Sequence, residues 1–189
     1  MLNKFMPTID TTRLQLRPLH INDAEALLTI FSDPIVMEYW HTPPWQSHGD
    51  AVDFIASSLA ESEQKNLICL GIILKSNQQL IGKCMLHNYV PDSKRAEIGY
   101  ALSPQYWGKG LVFEAVQALL NYGFQELGLR RIEAELDPDN IASAKALERL
   151  GFIKEGLLRK RWEINGVISD SALYGLLVDD VQLSANNTA

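Results

Sequence analysis

Cysteine is nearly absent. The 189 residues contain two, Cys69 and Cys84, both inside apolar, strand-like runs. Two such residues supply neither a disulfide framework nor a metal cluster; they read as small buried hydrophobes in a reducing compartment. Histidine is also scarce: His20, His41, His48 and His87 are scattered without HxxxH or CxxC-like spacing, so no metal site is expected. Long hydrophobic runs are missing as well. The longest, LICLGIIL from Leu67 to Leu74, falls far short of the roughly 20 residues of a membrane span. The opening MLNKFMPTID lacks the apolar stretch of a secretory signal. Positive charge is thin: Lys+Arg 17 stand against Asp+Glu 23, a net charge of −6, and RKR at 159–161 is a solitary short basic block. That balance argues against a nucleic-acid footprint. The expectation is a soluble, cytoplasmic protein with no membrane or nucleic-acid partner, whose mildly acidic surface favours cationic ligands such as amines.

What is present is ordinary globular material, 47% hydrophobic and 21% charged. One domain over residues 1–183 is expected, with a loose polar tail at 184–189. TTRLQLRPL alternates as a first strand. NDAEALLTIF then has capping-box spacing at Asn22 and Glu25, which predicts a helix start. Two prolines in EYWHTPPWQS break it, and a second helix is predicted from about Asp50 to Gln64. LICLGIILK and QLIGKCMLHNYV read as a hairpin, RAEIGYAL as a fourth strand and RIEAEL as a fifth. A helix at 109–127 separates those last two. ASAKALERLGF is a helix closed by Gly151, with Phe152 placed to touch Leu147. Asn165-Gly166 marks a final hairpin. The order predicts an α+β fold with a mixed, mostly antiparallel sheet of about seven strands flanked by helices.

The segment joining the fourth strand to its helix, SPQYWGKG, concentrates the chemistry. Missing side chains at Gly108 and Gly110 let successive N–H groups converge at a helix start, where a phosphate binds well. A P-loop needs Ser or Thr after the lysine, but Gly110 follows Lys109. A dinucleotide fingerprint needs a third small residue where Phe113 stands. The pattern Q/R-x-x-G-x-G/A fits at Gln105, Gly108 and Gly110. It resembles the acyl-CoA pyrophosphate loop of the GNAT superfamily of N-acetyltransferases. Downstream, Asn140, Ser143, Gly151 and Phe152 resemble that superfamily's second signature. With AEIGY and RWEING, the layout over residues 10 to 180 is similar to the ribosomal-protein N-terminal acetyltransferase branch.

That resemblance implies acetyl-CoA as co-substrate, a sheet splayed between its fourth and fifth strands, and an amine acceptor. The acceptor is then a protein N-terminus, ribosomal in the branch it resembles, or a small amine such as a polyamine, amino acid or aminoglycoside; a monomer or homodimer is expected. The other class of answer is a non-catalytic acetyl-CoA sensor. It implies cofactor contacts from Leu102, Gln105, Trp107, Gly108, Lys109, Gly110, Asn140 and Ser143, although Trp107 by itself reads better as a core residue. Direct acetyl transfer needs a base for the amine and an acid for the departing thiolate. The resemblance places bases at Glu97, then Glu163, then Glu135. Family members often carry a tyrosine acid on the helix after the fifth strand. None stands there in this chain, and the resemblance assigns Ser143 instead. Oxyanion donors are expected from main-chain N–H groups near Ala101 or Leu102.

Overall fold

A computed structural model describes residues 3–164 and 166–181. One sheet runs through the molecule in the order β1-β2-β3-β4-β5-β6-β8-β7. Its strands are β1 (Ile9–Asp10), β2 (Leu14–Pro18), β3 (Ile68–Leu74), β4 (Gln79–Val90), β5 (Arg95–Leu102), β6 (Arg131–Leu136), β7 (Ile153–Ile164) and β8 (Val167–Leu177). The helices are α1 (Ala24–Phe31), α2 (Pro34–Met37), α3 (His48–Glu63), α4 (Leu111–Gln125) and α5 (Ile141–Arg149). The eighth strand beyond the seven expected is the two-residue β1, too short to leave an alternation pattern. The expected fourth and fifth strands are therefore β5 and β6.

Two apolar layers sandwich the sheet. On one face α4 and α5 cover Ile68, Leu70, Ile72, Ala96 and Ile98; on the other α1–α3 cover Cys69, Ile73, Met85 and Ala101. Because β3 is buried on both faces, its sequence is a continuous apolar run instead of an alternating one. Cys69 on β3 and Cys84 on β4 are both buried and unpaired, as expected. Helix α4 approaches closely: a side chain on Gly123 would meet Leu86, Ile132 and Leu129 at 3.1–3.2 Å. Among the described residues no helix is long and apolar enough to cross a membrane.

The punctuation of the chain largely follows its sequence. Phe152 N–H donates to the Leu147 carbonyl and Gly151 N–H to that of Glu148, closing α5 as a Schellman turn with Gly151 at φ 94°. The last hairpin pairs with Ile164 opposite Val167, while Asn165 and the tail at 184–189 lie outside the described residues. The first helix departs from expectation. Its capping box is formed by His20 and Asp23 around a short 3-10 turn, Ile21–Asp23, and not by Asn22 and Glu25. Asp23 is drawn into that place by Arg17, whose two guanidinium nitrogens donate to it at 2.7 and 2.8 Å. The second helix likewise starts earlier than predicted, at His48, capped by Ser47 with Asp50.

Every neighbouring pair in the sheet is antiparallel except one. Strands β5 and β6 run parallel and pair only at Arg95–Arg131, Ala96–Ile132 and Glu97–Glu133. From Ile98 and Ala134 onward they separate, which is the expected splay. Helix α4 makes the crossover between them, and an ion network closes the paired end. Glu133 accepts from both Arg95 and Arg131 at 2.7 Å, and Arg131 reaches on to Glu155.

Burial pushes the Asp23 carboxyl up, but donation from Arg17 and from the His20 N–H outweighs it and holds the group below its ordinary 3.8. A folded-state pKa below the unfolded one adds stability above about pH 4, and that stability fades as pH falls through the lowered value. Asp23→Asn is therefore expected to lower the unfolding free energy by about 1–3 kcal/mol at neutral pH. Chemical denaturation of the two proteins should show the gap narrowing below pH 4; a gap that is constant with pH would contradict this account.

Candidate active site

Where β5 leaves β6, the fork opens into a cleft of about 360 Å³ that passes from one face of the sheet to the other. A volume of this size suits part of a small ligand. Strand parity divides its walls. Ser143 and Leu147 of α5 stand with Tyr100 on the α4–α5 side, whereas Met85, His87, Glu97 and Gly99 share the opposite side with Tyr39, Trp40 and His41. Main-chain groups on β5 that face β6 have no strand partner beyond Glu97, so they are available to a ligand.

The two hydroxyls on the first side form a pair. Tyr100 Oη lies 2.8 Å from Ser143 Oγ, and burial raises the phenol's pKa while the bond to Ser143 works against that shift. Asn140 caps α5 by accepting from the Ser143 N–H at 3.0 Å, which fixes the serine at the cleft. Tyr100 thus supplies from a strand the phenol that helix α5 lacks. It stands on the β5 face opposite Glu97 and Gly99, and its partnership with Ser143 depends on where α5 lands.

The three candidate glutamates have different surroundings. Glu97 faces the cleft from the last paired position of β5, opposite His87 on β4. Among the described residues its carboxylate makes no hydrogen bond or ion pair. Burial holds the His87 imidazole below its ordinary pKa, against the pull of Glu97. Glu135 also lines the cleft, but it accepts from Trp162 Nε1 at 2.8 Å and has Arg161 Nε 3.6 Å away. Burial raises its pKa, yet Ser171, Trp162, Arg161 and His41 together hold it below the ordinary value. Glu163 is exposed and does not line the cleft. Its neighbour Trp162 does, because β7 is irregular between Leu158 and Trp162, with Lys160 at φ 54°. Such an irregularity shifts which residues face inward.

His41, Trp162 and His87 were not singled out by sequence reasoning. His41 stacks on Trp162 with ring centroids 3.9 Å apart, joining the segment before α3 to β7 across the cleft. No local signal announces that contact; the register of β7 decides it. Among the described residues no group of acidic, histidine or cysteine side chains could hold a metal ion.

The glycine turn lies just beyond the end of β5, roughly 16 Å of strand from Glu97. Gly108 and Gly110 both have φ 71°, and Gly110 is the N-cap of α4. A side chain at Gly108 would meet nothing within 4 Å, so the turn is open on that side. Arg13 on the approach to β2 pins the turn by donating to the Lys109 carbonyl at 2.9 Å and to Glu114 at 2.6 Å. Lys109 Nζ donates to the Gln105 carbonyl at 2.9 Å, which curls the loop. Leu102 is buried in the core and its carbonyl accepts from Trp107 Nε1 at 2.7 Å, so it offers a ligand main chain only. Trp107 is 46% exposed and not a core residue; the bond to Leu102 holds the indole at the surface. A turn with two glycines of positive φ at the start of α4, open on one side, fits a diphosphate.

The model of the GNAT acetyltransferase domain matches residues 13–153. The chain belongs to the GNAT acetyltransferase family. An uncharacterized N-acetyltransferase p20 of Bacillus licheniformis is 40% identical over 174 residues, 91% of this chain and 97% of that one. A ribosomal-protein-serine acetyltransferase of Escherichia coli is 34% identical over 116 residues, 61% of this chain and 64% of that one. The microcin C7 self-immunity acetyltransferase MccE, solved with acetyl-CoA and AMP, superposes with TM-score 0.81 at 25% identity, covering 89% of this chain and 94% of that one. Acetyl-CoA is accordingly this family's acyl donor.

The state of Glu135 can be tested directly. Trp162→Phe keeps a ring against His41 but removes the N–H donor, so the Glu135 pKa is expected to rise toward the ordinary carboxylate value. Carboxyl-carbon NMR titration of both proteins measures it. An unchanged pKa would show that the indole does not hold the charge.

Proposed function

We propose that the protein acetylates the N-terminal α-amine of a polypeptide by direct attack on acetyl-CoA, with Glu97 as the base. The observation that carries this reading is an unpaired carboxylate facing the cleft at the point where the parallel strands part. Acetyl-CoA supplies a thioester already activated for acyl transfer; the chain's own groups do the rest. Gly108, Lys109 and Gly110 hold the diphosphate with main-chain N–H groups at the positive end of α4, assisted by Gln105 and Trp107. The freed β5 main chain fixes the arm and directs donors at the developing oxyanion.

An amine is a nucleophile only when neutral. Glu97 takes its proton, directly or through one water, with His87 beside it as the next group along that wall. Glu135 is a poorer base because its partners stabilise the ionised form. On the other side, the Tyr100–Ser143 hydroxyl pair is placed to deliver a proton to the departing thiolate. Tyr100 is held as a phenol by burial, so the proton is present at neutral pH. Tyr39, Trp40, His41 and Trp162 form the acceptor wall. The name of the E. coli ribosomal-protein relative supports a polypeptide N-terminus as acceptor.

The test is incubation with acetyl-CoA and a library of peptides and amines, followed by mass spectrometry for added acetyl groups. Glu97→Gln is expected to cut kcat by about a hundredfold or more while CoA still binds. Glu163→Gln, on the outer surface, should stay within about twofold of the parent. The reverse ranking would move the base to Glu163. Gly108→Ala should cost about 1 kcal/mol or more in stability from its left-handed φ and weaken CoA binding in calorimetry. Unchanged CoA affinity in this variant would place the diphosphate elsewhere.

A further inference from the structure

The most unusual charge in the molecule lies one layer behind the cleft. Lys83, in the middle of β4, is 2% exposed and is among the largest fully buried side chains. Its ammonium sits among three aromatic rings, 4.7 Å from the Phe54 centroid, 5.0 Å from Trp40 and 5.2 Å from Phe31. Its one hydrogen bond is to Met85 Sδ at 3.5 Å, a weak acceptor. Among the described residues no carboxylate or other oxygen partners it. Asp23, another buried charge, is by contrast satisfied twice over by Arg17.

An enclosed ammonium has three donors and is costly to leave unmatched. Aromatic faces compensate in part, and burial depresses its pKa. The cage is lopsided. Phe31 and Phe54 form its back, but Trp40 and Met85 are also walls of the cleft. Met85 lies across Gly99, where a side chain would meet its Cε at 3.1 Å. The Trp40 ring and a flexible, unbranched thioether therefore stand between the fork and the ammonium.

We propose that Lys83 is the anion-binding group of the acceptor side, and that the amine acetylated here carries a carboxylate. The proposal rests on the acetyltransferase reading and narrows its substrate. Glu97, Glu135 and Asp137 line the cleft where the amine enters, Arg161 being engaged with Glu135. Lys83 supplies the opposite charge directly behind the Trp40–Met85 wall. A ligand with an amine at one end and a carboxylate beyond it meets both, and its carboxylate gives the ammonium the oxygen acceptor that the fold withholds.

Binding tests this independently of turnover. Calorimetric titration of N-acetylalanine and N-acetylalaninamide, in the presence of CoA, should show the acid bound about tenfold or more tightly. Lys83→Met, of similar length and uncharged, should bring that ratio close to one. Rates repeat the comparison in two arms. Alanine against alaninamide tests a free amino acid, and Asp-initiated against Asn-initiated peptides test an acidic first residue. An acid preference in either arm that Lys83→Met removes supports the proposal and identifies the source of the carboxylate. Absence of acid preference in the parent protein, in binding and in both arms, overturns it whether or not the variant folds. Persistence of the preference in Lys83→Met overturns it as well. If acids bind selectively through Lys83 but no amine gains an acetyl group, the anion site stands and the acetyl-transfer reading falls.

Discussion

Three residue pairs between β5 and β6 govern the architecture of the site. A parallel contact this short joins the two parts of the sheet at a point and not along an edge. The Arg95–Glu133–Arg131 network holds that point on the outside, and Ile132, buried beneath α4, holds it from within. With the joint fixed, the strands must diverge as each follows its own antiparallel neighbour, β4 on one side and β8 on the other. The opening is therefore a product of topology. Main-chain groups that would be satisfied in a continuous sheet are left facing one another across it, and the polar demand they create is what a ligand arm meets.

The same divergence separates the chemistry into two compartments. Residues of even and odd number on β5 face opposite layers, so Tyr100 meets α5 while Glu97 meets β4 and the aromatic segment before α3. The carboxylate and the hydroxyl pair are thereby held on opposite sides of the cleft, each in its own electrostatic setting. The acidic side keeps a carboxylate free; the hydroxyl side is buried enough to keep a phenol protonated.

Which of these features could be read from the chain alone follows from how far each interaction reaches. The glycine turn, the Schellman close of α5 and the final hairpin are each written within about six residues, and the structure follows them. The α+β class followed from the order of patterns, and the splayed sheet from the family resemblance. Glu97 and Ser143 could be named from their motifs. What the sequence concealed depends on register between distant segments. The displacement of Glu163 by Trp162 turns on an irregularity in β7 that no alternation pattern encodes. The stack of His41 on Trp162, the Tyr100–Ser143 pair and the cage around Lys83 each join elements separated by crossovers. Even the first cap moved, because Arg17 claimed Asp23 from the neighbouring strand.

The tie from Arg13 to the Lys109 carbonyl and to Glu114 has a wider bearing. It makes Thr11 and Arg13 part of the glycine turn's foundation, although they lie several strands away from the fork. Thr11 strengthens the anchor by donating to the same carboxylate. The segment ahead of β2 is thus mechanically connected to the start of α4, and a change there is felt at the glycine turn.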